Sequence, residues 1–207
     1  LAGHLAGEET LSAQVAHAGS AMAHYEHLDI PGIRHRGAEP PGPVQCKQAS
    51  SAARQMGRQR VLSEMFVAAG WGVSPEQLKW LAECQFALGI NLPCVHLCHY
   101  SLRGGRKRDL PPGLGHQQPW WRDLQLLNDL FARELAVLTA GRGAVEILVL
   151  HPIESAWALF DVQNTAEVER LDGEFALLSR LLLEIQRDYD YGEEGMLARR
   201  ARVCGRT

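Results

Sequence analysis

Helical segments alternate with brief apolar runs along this chain, and that rhythm constrains its fold more than any single residue does. Leu11, Val15, Ala18 and Met22 recur at three- and four-residue intervals, which predicts an amphipathic helix across 9–25 that runs through Gly19. His27 to Ile33 then predicts a terse strand ended by Pro31-Gly32, and 36–45, rich in Gly and Pro, a loop. A helix from Lys47 to Met56 follows, with Ala49, Ala52, Ala53 and Met56 on one face and Gly57 as its stop. Arg58 to Glu64 reads as a short buried strand ending on a carboxylate. Ser74-Pro75-Glu76 opens the next helix, whose buried stripe is Leu78, Leu81, Ala82 and Phe86. After it come an irregular strand over 90–97, a polar loop from Ser101 to Gln118, and a helix from Pro119 to Gly141. Val145 to Leu150 is the fourth strand, and a last helix bears Leu171, Phe175, Leu178, Leu182 and Ile185.

This order calls for an α/β fold of parallel strands joined by helical crossovers, closed as a barrel or open as a doubly wound sheet. A complete (β/α)8 barrel needs about 200 residues or more and eight strands, so four strand candidates in 207 residues make part of one. Leu at position 1 and the closing segment 200–207, which lacks an evident cap, fit a fragment. With 46% hydrophobic residues the chain buries a core rather than staying disordered. Its net charge of −3 and lack of a basic face give no nucleic-acid partner; Arg103, Arg106, Lys107 and Arg108 form only a local cluster. No stretch reaches the roughly 20 apolar residues of a membrane span. Five cysteines with no Cys-x-x-Cys pair argue against a disulfide framework, so the expected compartment is reducing and cytoplasmic.

Chemistry in parallel α/β folds gathers where strands end, which singles out Glu64. Cleaving a glycosidic bond takes two carboxyl groups, one of which protonates the leaving oxygen. Met65, Phe66 and Trp71 around Glu64 predict a raised pKa suited to that role. The plainer alternative is a Glu64 that caps a turn or pairs with an arginine. Trp71, His96 and Tyr100 follow strands and suit a sugar cleft, where flat aromatic faces meet pyranose rings. Arg103 and Lys107 are placed to orient an acidic or sulfated sugar. Cys94, His96, Cys98 and His99 invite a zinc reading, but alternate strand residues crowd one face too closely for a tetrahedron, so no metal or other cofactor is expected. Asp29, Asp109 and Glu154 read as ordinary salt bridges or caps. No G-x-S-x-G, P-loop or G-x-G-x-x-G sequence is present.

An ordered set of short motifs carries a resemblance. Arg-Val-Leu-Ser-Glu at 60–64, Gly70-Trp71, Lys79-Trp80, Ala87 to Asn91, His96-Leu97, Tyr100-Ser101, Lys107-Arg108-Asp109, Pro119-Trp120-Trp121 and His151 to Ser155 look like bacterial glycoside hydrolases related to α-L-rhamnosidases, such as family 106. The resemblance spans roughly 25–200. It implies a multidomain enzyme whose (β/α)8 barrel is followed by a smaller, flavodoxin-like α/β domain. Residues 1–143 would then be the C-terminal part of the barrel and 144–207 the start of the second domain. Glu64 matches the strand-end glutamate that such enzymes use, its partner carboxylate lying outside this sequence, and the implied substrate is a carbohydrate, α-L-rhamnosides included. Related sequences carry Asp at the position of Arg34 and Asp-Trp at Glu83-Cys84. The rival readings are a non-catalytic carbohydrate-binding or scaffold remnant of such a barrel, and a metal-dependent hydrolase built on His96 and His99.

Overall fold

The computed structural model describes residues 1–202 and 204–205; Val203, Arg206 and Thr207 of the closing segment lie outside them. Strands β1 (Ala2–Gly3), β2 (Ile30–Arg36), β3 (Leu62–Val67) and β4 (Leu92–Val95) pair in parallel, in sequence order. The fold is therefore mixed α/β with a parallel sheet. Helices α1 (Leu11–His17) and α2 (Ala21–Tyr25) join β1 to β2, where one helix was expected. Gly19 takes a left-handed backbone (φ 80°), and Ser20 restarts the helix by accepting from the Ala23 N–H.

Pro31-Gly32 does not end β2, as the sequence suggests; the strand continues to Arg36. Pro31 sits at the second position, before the pairing with β3 begins at Gly32. Gly32 is there for space: a Cβ on it would lie 2.9 Å from Leu62 Cδ2 and 3.0 Å from the Gly3 carbonyl. In β3 the expected Arg58–Glu64 span is displaced toward the carboxyl end. Arg58, Gln59 and Arg60 are exposed, and the apolar Met65, Phe66 and Val67 extend the strand instead, so Glu64 is third of six residues rather than last. β4 is shorter than the 90–97 expectation because Asn91 belongs to the turn. Its side chain accepts from Val61 N and donates to the Gln59 carbonyl.

Helix α3 (Pro43–Gln55) links β2 to β3 and starts earlier than expected, with Pro43 in its first turn. Every residue from Val44 to Ala53 is buried, not one stripe. The reason is a second layer: α3 also packs on β6 (Tyr189–Glu193), which pairs in parallel with β5 (Ile147–His151). Polar residues of α3 are satisfied one by one. Gln45 and Gln48 bond Glu8, Lys47 reaches Asp188, and the Ser51 hydroxyl accepts from Tyr191 N. Helix α4 (Pro75–Ala87) carries the expected capping signal, Ser74 and Gln77 bonding each other's backbone N–H, and buries the expected stripe.

Trp121–Asp123 form a 3₁₀ turn, so α5 begins at Leu124 and runs to Ala140. It buries only Leu127 and Phe131, the latter edge-on to Phe86 at 5.3 Å. Leu138, expected in the stripe, is exposed. Beyond β5 lie α6 (Ile153–Leu159), α7 (Ala166–Glu184), β6 and α8 (Glu194–Arg200). Among the described residues there are six strands where the sequence suggests four. β1 has only two residues, and Tyr-Asp-Tyr-Gly-Glu in β6 lacks an apolar run although all five residues are buried. No described helix is long and apolar enough to cross a membrane.

Candidate functional site

All four strands of the larger sheet end at one edge, and His4, Arg36, Ala68 and His96 stand at or just beyond those ends. Alternation along β3 puts Ser63 and Met65 on one face and Glu64 on the other. Ser63 hydrogen bonds Gln85 of α4, so its face is the one covered by helices; Glu64 looks the opposite way, beside Arg34 and Cys94 in register. Met65 is thus no neighbour of the Glu64 carboxyl, contrary to expectation.

What the carboxyl does meet is His4. Glu64 Oε2 lies 3.0 Å from His4 Nε2, and both side chains are about a quarter exposed. This distance permits a hydrogen bond in either imidazole tautomer, with a proton on either partner. The sequence gives little signal for His4, because β1 is too short to show periodicity and the residue stands alone after Gly3. Arg34 is adjacent in register, yet it forms no ion pair with Glu64 among the described residues.

Glu8 fixes the loop that carries His4. Its side chain is only 1% exposed and accepts four hydrogen bonds: Leu5 N (3.0 Å) and Tyr25 Oη (2.7 Å) reach Oε2, while Arg34 N (2.6 Å) and Gln45 Nε2 (3.2 Å) reach Oε1. Burial raises its carboxyl above the ordinary value, and those four bonds offset part of the rise. The loop after β1 and the middle of β2 are thereby tied to one anchor. Glu8 was also missed, since nothing in Gly-Glu-Glu-Thr marks it as buried.

A second cluster closes over the end of β3. The Trp71 indole N–H donates to the Lys107 carbonyl at 2.6 Å, and its ring lies 5.3 Å from that of His99. Gly113 fits against both, since a Cβ there would stand 2.6 Å from His99 Nδ1 and 3.1 Å from the indole. Gly70 N donates to the Pro111 carbonyl, Leu114 N to the Leu97 carbonyl and Gln117 Nε2 to the His99 carbonyl. The long loop between β4 and α5 is therefore folded back on Trp71.

The remaining expected site residues are placed less uniformly. The His96 backbone N–H donates to Met65, beside the end of β3, and its Nδ1 is shut off from solvent with no partner among the described residues. Tyr100 is fully exposed, and Arg103 and Lys107, next to and in the 3₁₀ turn Gly104–Arg108, are exposed as well. Cys98 Sγ donates to Leu114 and His99 Nε2 bonds Asp109, both through backbone carbonyls. Among the described residues no three His, Cys, Asp or Glu side chains converge as a metal set. Asp29 pairs with Arg58 at 3.5 Å, away from Glu64.

No protein-family model matches the sequence, and no curated protein does. Among solved structures, a rhamnosidase from Novosphingobium sp. PP1Y is similar over 85% of this chain, with 21% identity and a TM-score of 0.56. The matched part is 17% of that protein's chain. The likeness is one of fold: the mixed α/β arrangement of this chain is similar to that of part of the matched structure.

Proposed function

We propose that this chain forms part of a glycoside hydrolase, with Glu64 as the general acid that protonates the leaving oxygen of an O-glycosidic bond. The observation that carries the reading is Glu64 on the sheet face opposite the one packed by α4, near the carboxyl edge and 3.0 Å from His4. An imidazole at that distance can return a proton to the carboxyl group after each donation. The sequential order β1-β2-β3-β4 supports an arc of a (β/α)8 barrel over 1–143, and β5 and β6 with their helices support the opening of a second α/β domain from about 144. Trp71 and His96 serve as cleft wall in this reading. Tyr100, Arg103 and Lys107 approach the sugar from the solvent side. The fold likeness makes α-L-rhamnosides the first substrates to test.

A second reading, a carbohydrate-binding scaffold without turnover, is favoured by one observation. The in-register neighbours of Glu64 are Arg34 and Cys94, so the second carboxyl group that hydrolysis requires has to come from another element. Release of nitrophenol from a panel of aryl glycosides, run beside calorimetry with the free monosaccharides, separates the two. Hydrolysis of an aryl α-L-rhamnoside supports the enzyme. Heat of binding with no release supports the scaffold, and neither signal contradicts both.

A further inference from the structure

The amino-terminal edge of the sheet, opposite the edge near Glu64, holds a cleft of about 800 Å³. Three loops form it, each leaving a helix and entering a strand: 57–61 before β3, 88–91 before β4 and 141–143 before β5. Lys47, Arg54, Arg58, Arg60 and Arg142 line it against a single carboxylate, Asp188. The carbonyl ends of α3, α4 and α5 meet here, and their partial negative charge offsets some of that excess. Ion pairs offset more: Lys47 lies 2.7 Å and Arg54 3.9 Å from Asp188, Arg54 also lies 3.5 Å from Asp190, and Arg58 lies 3.5 Å from Asp29. Arg60 and Arg142 are exposed and form no ion pair among the described residues.

Arg54, although flanked by Asp188 and Asp190, keeps one donor unused. Its Nη1 is closed off from solvent and has no hydrogen-bond partner among the described residues; 3.9 Å to Asp188 is too long to count as one. Gly143 lies so close to this guanidinium that a side chain there would collide with it, which brings the loop bearing Arg142 against Arg54. Phe86, Leu88 and Leu138 give the cleft an apolar wall, which strengthens charge interactions beside it.

The geometry points to a second binding site in this cleft, for a multiply charged oxyanion of the phosphate or sulfate type, held by Arg54, Arg60 and Arg142. Guanidinium groups present paired N–H donors that match such oxygens. The site lies at the far edge of the sheet from Glu64 and is independent of the hydrolase reading. Calorimetric titration of the whole chain with inorganic pyrophosphate and, separately, with sulfate tests it. Arg60→Ala/Arg142→Ala removes two exposed loop side chains without ion pairs, so the fold is retained. Arg106→Ala, at the other edge, is the control. The expected result is saturable binding with a Kd of about 1 mM or tighter, weakened at least tenfold in the double variant and by added salt, and unchanged in the control. Preference for pyrophosphate or for sulfate then assigns the ligand class. No saturable binding of either anion by the wild-type chain, or equal binding by the double variant, overturns the site.

Discussion

Glu8 and Glu26 are both nearly inaccessible to solvent, yet their surroundings treat the charge oppositely. Burial dominates at Glu8 and raises its carboxyl above the ordinary value. At Glu26 burial also pushes upward, but the guanidinium groups of Arg199 and Arg200, each 2.6 Å away, overcome it and the net shift is downward. Folded protein therefore holds a proton on Glu8 more tightly than unfolded chain does. That contribution is full below the unfolded carboxyl pKa and is lost as pH rises through the raised folded value. Glu26 contributes above the unfolded pKa and loses its contribution as pH falls through the lowered one. Urea unfolding of wild type, Glu8→Gln and Glu26→Gln across the acid range reads both signs. On acidification, wild-type stability is expected to rise relative to Glu8→Gln and to fall relative to Glu26→Gln, the latter by about 1–2 kcal/mol since the arginines are half exposed. Movement in the same direction for both variants would contradict this assignment of causes.

Among the elements, the loop between β4 and α5 shows most clearly how one side chain orders a long connection. The Trp71 indole N–H is its side-chain tie at Lys107, next to the basic run 106–108 that trypsin cuts. Trp71→Phe keeps the ring against His99 but removes that donor, at a cost of about 1 kcal/mol. Tryptic cleavage at 103–108 is expected to speed up several-fold with β-sheet signals unchanged; an unaltered cleavage rate would mean that the backbone bonds from Gly70 and Leu114 suffice. This cluster was partly legible beforehand, because Trp71 and the 96–100 segment follow apolar runs. Helix α4 was legible almost residue by residue, since its cap and stripe are local signals. Glu64 was legible as a candidate, but its partner was not. His4 reaches it across strands from a two-residue β1, and no local pattern reports such a contact. For the same reason β6 was hidden: Tyr189 and Tyr191 are buried by α3 and α7, with Ser179 bonded to the Tyr191 hydroxyl.

Across the molecule, α3 joins the two sheets into one packed unit. Lys47, 2% exposed, spans from α3 to Asp188 and lies 5.0 Å from the Tyr189 ring, and Gln55 Nε2 donates to the Tyr191 carbonyl. His151 of β5 bonds Gln48, which in turn bonds Gln14 of α1; complete burial lowers the imidazole pKa to about 3, so it stays neutral in this network. Asp172 of α7 accepts from Leu11 N and Ser12 N at the start of α1. These ties predict that β3 and β6 open together. Native-state hydrogen exchange should give amides of both strands the same opening free energy, and Lys47→Ala should lower both by about 2–3 kcal/mol through the lost pair and buried stem. Loss of protection in β6 alone would show that the smaller sheet opens separately.

The same packing holds Glu64 and His4 in place, so the catalytic proposal belongs to the whole fold as much as to one carboxyl group. Turnover of an aryl α-L-rhamnoside by wild type and by Glu64→Gln, compared under identical conditions, tests it most directly. The substitution removes the proton donor while keeping shape, and a fall in kcat of at least ~100-fold is expected. A Glu64→Gln protein that hydrolyses the substrate at the wild-type rate would contradict the assignment.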